Sequence, residues 1–347
     1  MKTILVTGSA GFIGFHVSKR LLHEGYHVIG IDNLNDYYSI SLKKSRLDQL
    51  NRFAEFQFIK ADIADTKWPK KIPGSPRIGA IIHLAAQGGV RYSLNNPGAY
   101  IQSNLVGFAN ILEFHRHYLG SEKHLIYASS SSVYGANRKQ PYSEHQGVNH
   151  PISLYSATKR SNELMAHSYA HLYDIPVTGL RFFTVYGPWG RPDMAYFKFA
   201  RKIKNGEPIQ IYNNGDMYRD FTYIDDIVES IVRLLPLKPT RNERWKKQHL
   251  TSDKPDPATS YAPFRIFNIG NNAPVKLMDF IEILEENLGL EAKKEYKPMQ
   301  KGDVYKTWAE CNNLFELTSF KPKTPLQTGI GAFAEWFNWY YQKISTL

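Results

Sequence analysis

The 347-residue sequence predicts an α/β fold, a doubly wound parallel sheet followed by a smaller C-terminal α/β lobe. Three observations predict it. Short apolar, β-branched runs alternate with stretches of helical periodicity through the first half of the chain. The first of these runs enters a glycine-rich turn and then a helical pattern. The polar and glycine motifs stand where apolar runs end, and there an open parallel sheet presents its ligand-binding edge.

Residues 2–7 read as the first strand, and Gly8-Ser9-Ala10-Gly11-Phe12-Ile13-Gly14 as the turn into a helix over 16–23. The glycines let the backbone bend tightly and approach a pyrophosphate, whose charge sits at the helix N-terminus; Gly14 admits close packing of helix on strand. A second strand over 26–31 ends in Asp32. A carboxylate there accepts hydrogen bonds from a ribose diol and repels a 2′-phosphate, so NAD is expected over NADP. Lys43, Lys44 and Arg46 are expected to face solvent on the following helix. A third strand over 56–59 leads to Asp62-Ile63, and a fourth over 78–84 leads to Ala85-Ala86-Gln87-Gly88-Gly89. Small residues at that place let the nicotinamide half of a dinucleotide lie against the backbone. Fifth and sixth strands are expected over 123–128 and 177–183.

Between those two strands, Tyr155-Ser156-Ala157-Thr158-Lys159 opens a helix over 155–173. Residues four apart share a helix face, which sets a phenol beside an ammonium. A free tyrosine, with a pKa of about 10, is a poor base, and an adjacent cation stabilises its phenolate. The pair suits removal of a proton from an alcohol.

After residue 183 the texture changes to Tyr186-Gly187-Pro188-Trp189-Gly190-Arg191-Pro192 and then to segments separated by prolines and glycines. The boundary is set accordingly: residues 1–183 as the dinucleotide-binding domain, and 184–347 mainly as a substrate lobe with segments returning to the first. Helices are expected over 194–205, 225–234, 276–288 and 329–344, and a strand over 265–269. Residues 235–263, rich in prolines and charges, read as an exposed loop.

The net charge of +11 favours an anionic partner. The basic residues are scattered rather than interleaved with exposed aromatics, which argues against nucleic acid. Their densest cluster, 241–247, reads as a solvated loop. The one cysteine, Cys311, excludes an intrachain disulfide and fits a reducing compartment, so the cytoplasm is expected. Ile4-Leu5-Val6 is too short a run for a secretory signal core, and no apolar run is long enough to span a bilayer. No metal is expected.

Thr7-Gly8-x-x-Gly11-Phe12-Ile13-Gly14, Asp32, Asp62-Ile63, His83-Leu84-Ala85-Ala86, the run from Ser129 to Gly135 and Tyr155-x-x-x-Lys159 together resemble the extended short-chain dehydrogenase/reductases, with a Rossmann-type sheet. Within that superfamily, the segments 85–93, 181–195 and 219–226 and Gly302-Asp303-Val304 resemble the UDP-glucuronate 4-epimerases. The resemblance implies that Gly8, Gly11, Phe12, Ile13, Gly14, Asp32, Asp62, Ile63, Leu84, Ala85 and Ala86 contact NAD, together with Tyr155 and Lys159. It implies that Tyr155 takes the proton from the sugar O4, that Lys159 holds the nicotinamide ribose and stabilises the phenolate, and that Ser130 hydrogen-bonds O4, with Ser132 a second candidate. The 4-keto sugar then turns over and is reduced on its other face. Arg191 is assigned to the substrate carboxylate. Oxidation at C4 makes a β-keto acid, and a guanidinium that keeps the carboxylate out of alignment with the carbonyl protects it. Thr184 is placed near the sugar, Arg219 near the diphosphate, Asp303 near the uridine ribose, and Arg91 at a phosphate, at the carboxylate or in a bridge to a neighbouring loop. Asn104 is expected to tie backbone turns together. A homodimer through the helices over 97–118 and 153–173 is implied as well.

Related 4,6-dehydratases place Asp-Glu where this chain has Ser131-Ser132, and UDP-glucuronate decarboxylases carry Glu at the position of Ser132. Epimerases of neutral UDP-hexoses differ mainly at Arg191 and stay open. An inactive dinucleotide-binding relative would lack Tyr155 or Lys159, and both are present.

Overall fold

The computed structural model describes residues 2–72, 77–249, 255–299 and 304–345. Twelve strands are found among them: β1 (Thr3–Thr7), β2 (His27–Asp32), β3 (Phe56–Lys60), β4 (Ile78–His83), β5 (His124–Ser130), β6 (Val177–Phe182), β7 (Thr184–Tyr186), β8 (Ile209–Ile211), β9 (Tyr218–Tyr223), β10 (Phe264–Ile269), β11 (Pro274–Lys276) and β12 (Lys294–Tyr296). Seven form one sheet in the order β10-β6-β5-β4-β1-β2-β3. All its neighbours are parallel. The order runs outward from β1 in both directions, so the crevice beyond the carboxyl ends of β1 and β4 is the topological switch point. The glycine turn leaves β1 there, and Leu84-Ala85-Ala86 leaves β4.

Successive side chains of a strand point to opposite faces, and here both faces are covered. Ile4 and Val6 pack beneath the helices Phe12–His23 and Ile224–Leu234, through Phe15, Val17, Ile227 and Ile231. Leu5, Ile81 and Leu125 pack on the other face against Phe108, Ile111, Leu112, Ala166 and Ala170. Full burial of each such aliphatic side chain contributes roughly 1.5–3 kcal/mol. The later half of the chain thus supplies the large sheet with its last strand, β10, with the covering helix Ile224–Leu234 and with the short helix Asn312–Thr318, whose Leu314 joins the same core.

The remaining strands form two small sheets, β11-β9-β7 and β12-β8. Their core is aromatic, with Tyr186, Tyr196, Phe280, Phe333 and Phe337 buried among aliphatic residues of the helices Ala195–Lys204, Leu277–Leu288 and Leu326–Ser345.

Three expectations are corrected. The helix over 97–118 is not uniform: π-helical turns at Ile101–Val106 and His115–Leu119 flank an α-helical stretch, Gly107–Phe114. Asn104 turns inward in the first of these, and Gly107 closes on Ile63, where an added Cβ would lie 2.8 Å from Cδ1. The segment 235–263 holds the helix Glu243–His249 and the buried Ala258 and Ala262. Its basic cluster is partly engaged: Arg241 pairs with Asp174 at 2.5 Å, and Arg241 and Lys246 lie over the Tyr261 ring. Lys43 and Arg46 are buried rather than solvent-facing. Lys43 Nζ donates to the carbonyl and to Oδ1 of nearby Asn35, each at 2.7 Å, whereas the Arg46 donors reach acceptors in distant loops. No described helix is long and apolar enough to cross a membrane.

Candidate functional site

The cofactor end is built from backbone. Gly8 has φ +74°, and a Cβ there would stand 2.8 Å from the Ala85 nitrogen. A Cβ on Gly11 or Gly14 would meet the Gly8 carbonyl at 2.9 or 2.0 Å. Gly11 caps the helix Phe12–His23 with no side-chain hydrogen bond, so its first N–H groups stay available to an anion. Phe12 is buried and Ile13 packs partly buried against the same core, holding that turn against the sheet.

At the ends of β2 and β3, Asp32 Oδ1 accepts from the Leu34 N–H at 2.8 Å. Asp62 accepts from the Ala64 N–H at 2.9 Å and from Asn33 Nδ2 at 3.0 Å. A polar cavity of about 220 Å³ opens beside them, lined among others by Asn33, Asn35, Tyr37, Asp62, Gln87 and Gln102. A glycine cradle, an uncapped helix N-terminus, a carboxylate ending β2 and this cavity together fit NAD. The sequence reading missed Asn33, Asn35 and Tyr37; their one visible signal was their place directly after Asp32.

The helix Leu154–Tyr173 carries Tyr155 and Lys159, and Ser153 caps it by accepting from the Ser156 N–H at 3.1 Å. Lys159 is buried, and its Nζ donates to the Ala128 carbonyl at 2.8 Å. Burial pulls the ammonium down to about 8. Ser130 ends β5 with Oγ 3.1 Å from Ser132 Oγ. Burial pushes the Tyr155 phenol above its ordinary value; hydrogen bonding to Ser130 and the charge of Arg191 oppose that, and Asp193 adds to it. The expected lowering of the phenol by Lys159 is therefore not met in this arrangement, where burial dominates and the ammonium is bound by a carbonyl.

Beneath the pair, Glu163 accepts from Ser129 Oγ at 2.7 Å, from Arg160 at 2.9 Å, and from Arg181 at 2.8 and 2.9 Å. Asn104 Nδ2 donates to the Gln87 carbonyl and to Thr158 Oγ1, and its Oδ1 accepts from the Gln87 N–H. The catalytic helix is thereby tied to the loop after β4, as expected of Asn104. Tyr100, also missed, is buried and donates to the Gly88 carbonyl at 2.8 Å, its ring 6.0 Å from that of Tyr155.

On the facing side, Thr184 opens β7 and is half-buried. Arg191 makes a two-pronged pair with Asp193, at 3.0 Å from Nε and 2.5 Å from Nη2. Its guanidinium packs against Gly88, where a Cβ would lie 2.6 Å from Nη1, and Tyr37 donates to Asp193 at 3.1 Å. Asp193 was not foreseen. Arg91 is exposed and lies 5.6 Å over the Tyr212 ring, the bridging arrangement among those expected. Arg219 is half-buried in β9 and donates to the carbonyls of Tyr218 and Tyr305. Asp303 lies outside the described residues. The fold thus gathers Ser130, Ser132, Tyr155, Lys159 and Arg191, while Arg91 and Arg219 bind to the segments around Tyr212 and Tyr305.

Comparison with known proteins agrees with this geometry. Residues 4–244 match the NAD dependent epimerase/dehydratase family. Protein CapI of Staphylococcus aureus is 52% identical, covering 98% of this chain and 99% of its own. The probable UDP-glucuronate 4-epimerase of Rhizobium meliloti is 49% identical, covering 99% and 98%. The crystal structure of UDP-glucuronic acid 4-epimerase from Bacillus cereus, in complex with UDP-glucuronic acid and NAD, superposes with a TM-score of 0.81 at 31% identity, over 98% of this chain and 100% of the other. With its glycine cradle, its Tyr155–Lys159 helix and these relatives, the chain belongs to the NAD dependent epimerase/dehydratase family.

Proposed function

We propose that this protein is an NAD-dependent 4-epimerase that interconverts UDP-glucuronate and UDP-galacturonate through a transient 4-keto sugar. The observation that carries the reading is the placement of Arg191 beside the Tyr155 helix: the Tyr100 ring lies 6.0 Å from that of Tyr155, its hydroxyl donates to the Gly88 carbonyl at 2.8 Å, and Gly88 packs against the Arg191 guanidinium. The glycine turn, Asp32 and the cavity beside Asp62 would hold NAD, which would supply reversible hydride acceptance at the sugar C4. Tyr155 takes the O4 proton and later gives it back, and Ser130 holds O4 in line with it. Lys159, buried beside Tyr155 on the same helix, would support the nicotinamide ribose. Ser132 and Thr184 offer hydroxyls to the sugar. Arg219, and by resemblance Asp303, serve the nucleotide end.

Arg191 presents a fixed guanidinium because Asp193 holds two of its donors. A substrate carboxylate bound by the remaining donors is turned away from the plane in which carbon dioxide would leave the β-keto acid. The serine at 132 supplies no carboxylate acid or base, which weighs against elimination and decarboxylation as the productive outcome. A second reading, epimerisation of neutral UDP-hexoses, draws on the same ion pair, since Asp193 already compensates Arg191. A homodimer through the helical segments over 97–118 and 153–173 is part of the proposal, supported by the exposed Tyr118, Leu164 and Leu172. The cytoplasm is the proposed compartment, on the single free cysteine.

The direct test is Tyr155→Phe assayed with UDP-glucuronate. Loss of a general base lowers turnover by about 10²–10⁴-fold, with NAD content retained. Turnover equal to that of the unmutated enzyme would remove Tyr155 from the mechanism.

A further inference from the structure

We propose that Arg46 is a positioning residue, registering the Pro188–Asp193 loop, and with it Arg191, onto the glycine turn that holds the cofactor. Its effect on product identity rests on the role given to Arg191 above.

Arg46 is fully buried on the helix Ile40–Leu50. A guanidinium has five N–H donors, and all five are used. Nη1 donates to the Ala10 carbonyl and to Tyr38 Oη, each at 2.8 Å. Nε and Nη2 donate to the Trp189 carbonyl at 3.1 and 2.6 Å, and Nη2 donates also to the Gly190 carbonyl at 3.0 Å. Every acceptor is a neutral oxygen. Burying a charge without a bonded carboxylate is costly, so the fork requires all of these partners to be in place at once. They come from three segments: the glycine turn, the loop after β2, and the loop whose next residue is Arg191.

That loop is held through its backbone. The Pro188 carbonyl lies 3.0 Å from Nε2 of His16, on the cofactor helix, so three consecutive carbonyls are held, the first by that helix and the next two by Arg46. Trp189 sits at φ +59°, a left-handed conformation that a bulky residue keeps only where its surroundings impose it. Backbone acceptors fix where Arg191 begins, whatever the loop's side chains are. Arg46 carries its charge at the same place, 2.8 Å from the Ala10 oxygen inside the glycine turn. Occupancy of that turn by an anion and the register of the substrate loop thereby share one residue. A lysine has a single nitrogen and cannot span the three segments.

The test is hydrogen exchange by mass spectrometry on the purified, NAD-containing enzyme and on Arg46→Lys, read together with the products formed from UDP-glucuronate. Loss of the fork speeds exchange in the peptide covering 186–196 by about tenfold through local opening, while a peptide covering β5 stays as protected as before. The fraction of decarboxylated UDP-pentose rises severalfold, and kcat falls more than KM rises. Tyr38→Phe keeps the guanidinium and removes one acceptor; it gives a smaller change in the same peptide and carries the test if Arg46→Lys does not fold. Wild-type exchange in 186–196 in the folded variants overturns the proposal. Faster exchange with no added UDP-pentose supports the register role and instead counts against the carboxylate role of Arg191, for which Arg191→Ala is the parallel control.

Discussion

Replacing Glu163 by glutamine probes how firmly the catalytic helix is seated. Glu163 and Arg181 are both wholly buried. The carboxylate accepts four hydrogen bonds, from Ser129, Arg160 and twice from Arg181. An amide can accept at one oxygen only and turns N–H donors toward the other donors, while the Arg181 charge loses its partner. Breaking a buried pair from one side costs about 3–5 kcal/mol. For 347 residues the unfolding entropy is on the order of 0.7 kcal/mol/K. Tm should therefore fall by about 4–7 °C at fixed NAD concentration. Turnover should fall as well, because Ser129 precedes Ser130 and Glu163 lies one turn beyond Lys159. Calorimetry with Arg181→Met and the double variant completes the cycle, with a coupling on the order of 2 kcal/mol expected. Burial raises the Glu163 pKa, but the Arg181 charge and the hydrogen bonds hold it below the ordinary value. Its contribution is thus present above the unfolded pKa and lost as pH falls through the folded one. A Tm within about 1 °C of wild type would refute the reasoning.

Other expectations are independent of that pair. Lys159, lowered to about 8 from 10.5, binds fewer protons folded than unfolded between those values, so its contribution to stability rises with pH across that window. In denaturation of NAD-free protein from pH 7 to 10.5, wild type should gain about 3 kcal/mol relative to Lys159→Met; a pH-independent difference would count against the burial. Arg191→Ala should release decarboxylated UDP-pentose alongside the epimer, and an unchanged product ratio would reassign the arginine. Leu164→Asp with Leu172→Asp should give a monomeric mass by light scattering, and a retained dimer would place the interface elsewhere.

Much of the fold was legible because parallel strands buried on both faces must read as apolar runs, and those runs matched their strands to within a residue or two. The glycine turn was legible because its backbone leaves no room for a Cβ. Arg46 was not, since its acceptors Trp189 and Gly190 lie more than 140 positions away and a basic, polar helix segment looks solvent-facing. Asp193 was missed for a related reason. A two-residue spacing in a loop does not announce that the side chains meet, whereas four residues on a helix does. Asn33 and Asn35 carry no periodic signal, and the cavity that gives them meaning exists only after β2 and β3 pair.

The measurement that tests the central claim most directly is proton NMR of UDP-glucuronate incubated with the purified protein and no added cofactor, NAD being supplied only if nothing happens. The account predicts UDP-galacturonate with little UDP-pentose. Inert UDP-glucuronate with conversion of UDP-galactose or its N-acetyl form would contradict it, leaving the Tyr155 chemistry in place and removing the carboxylate role of Arg191.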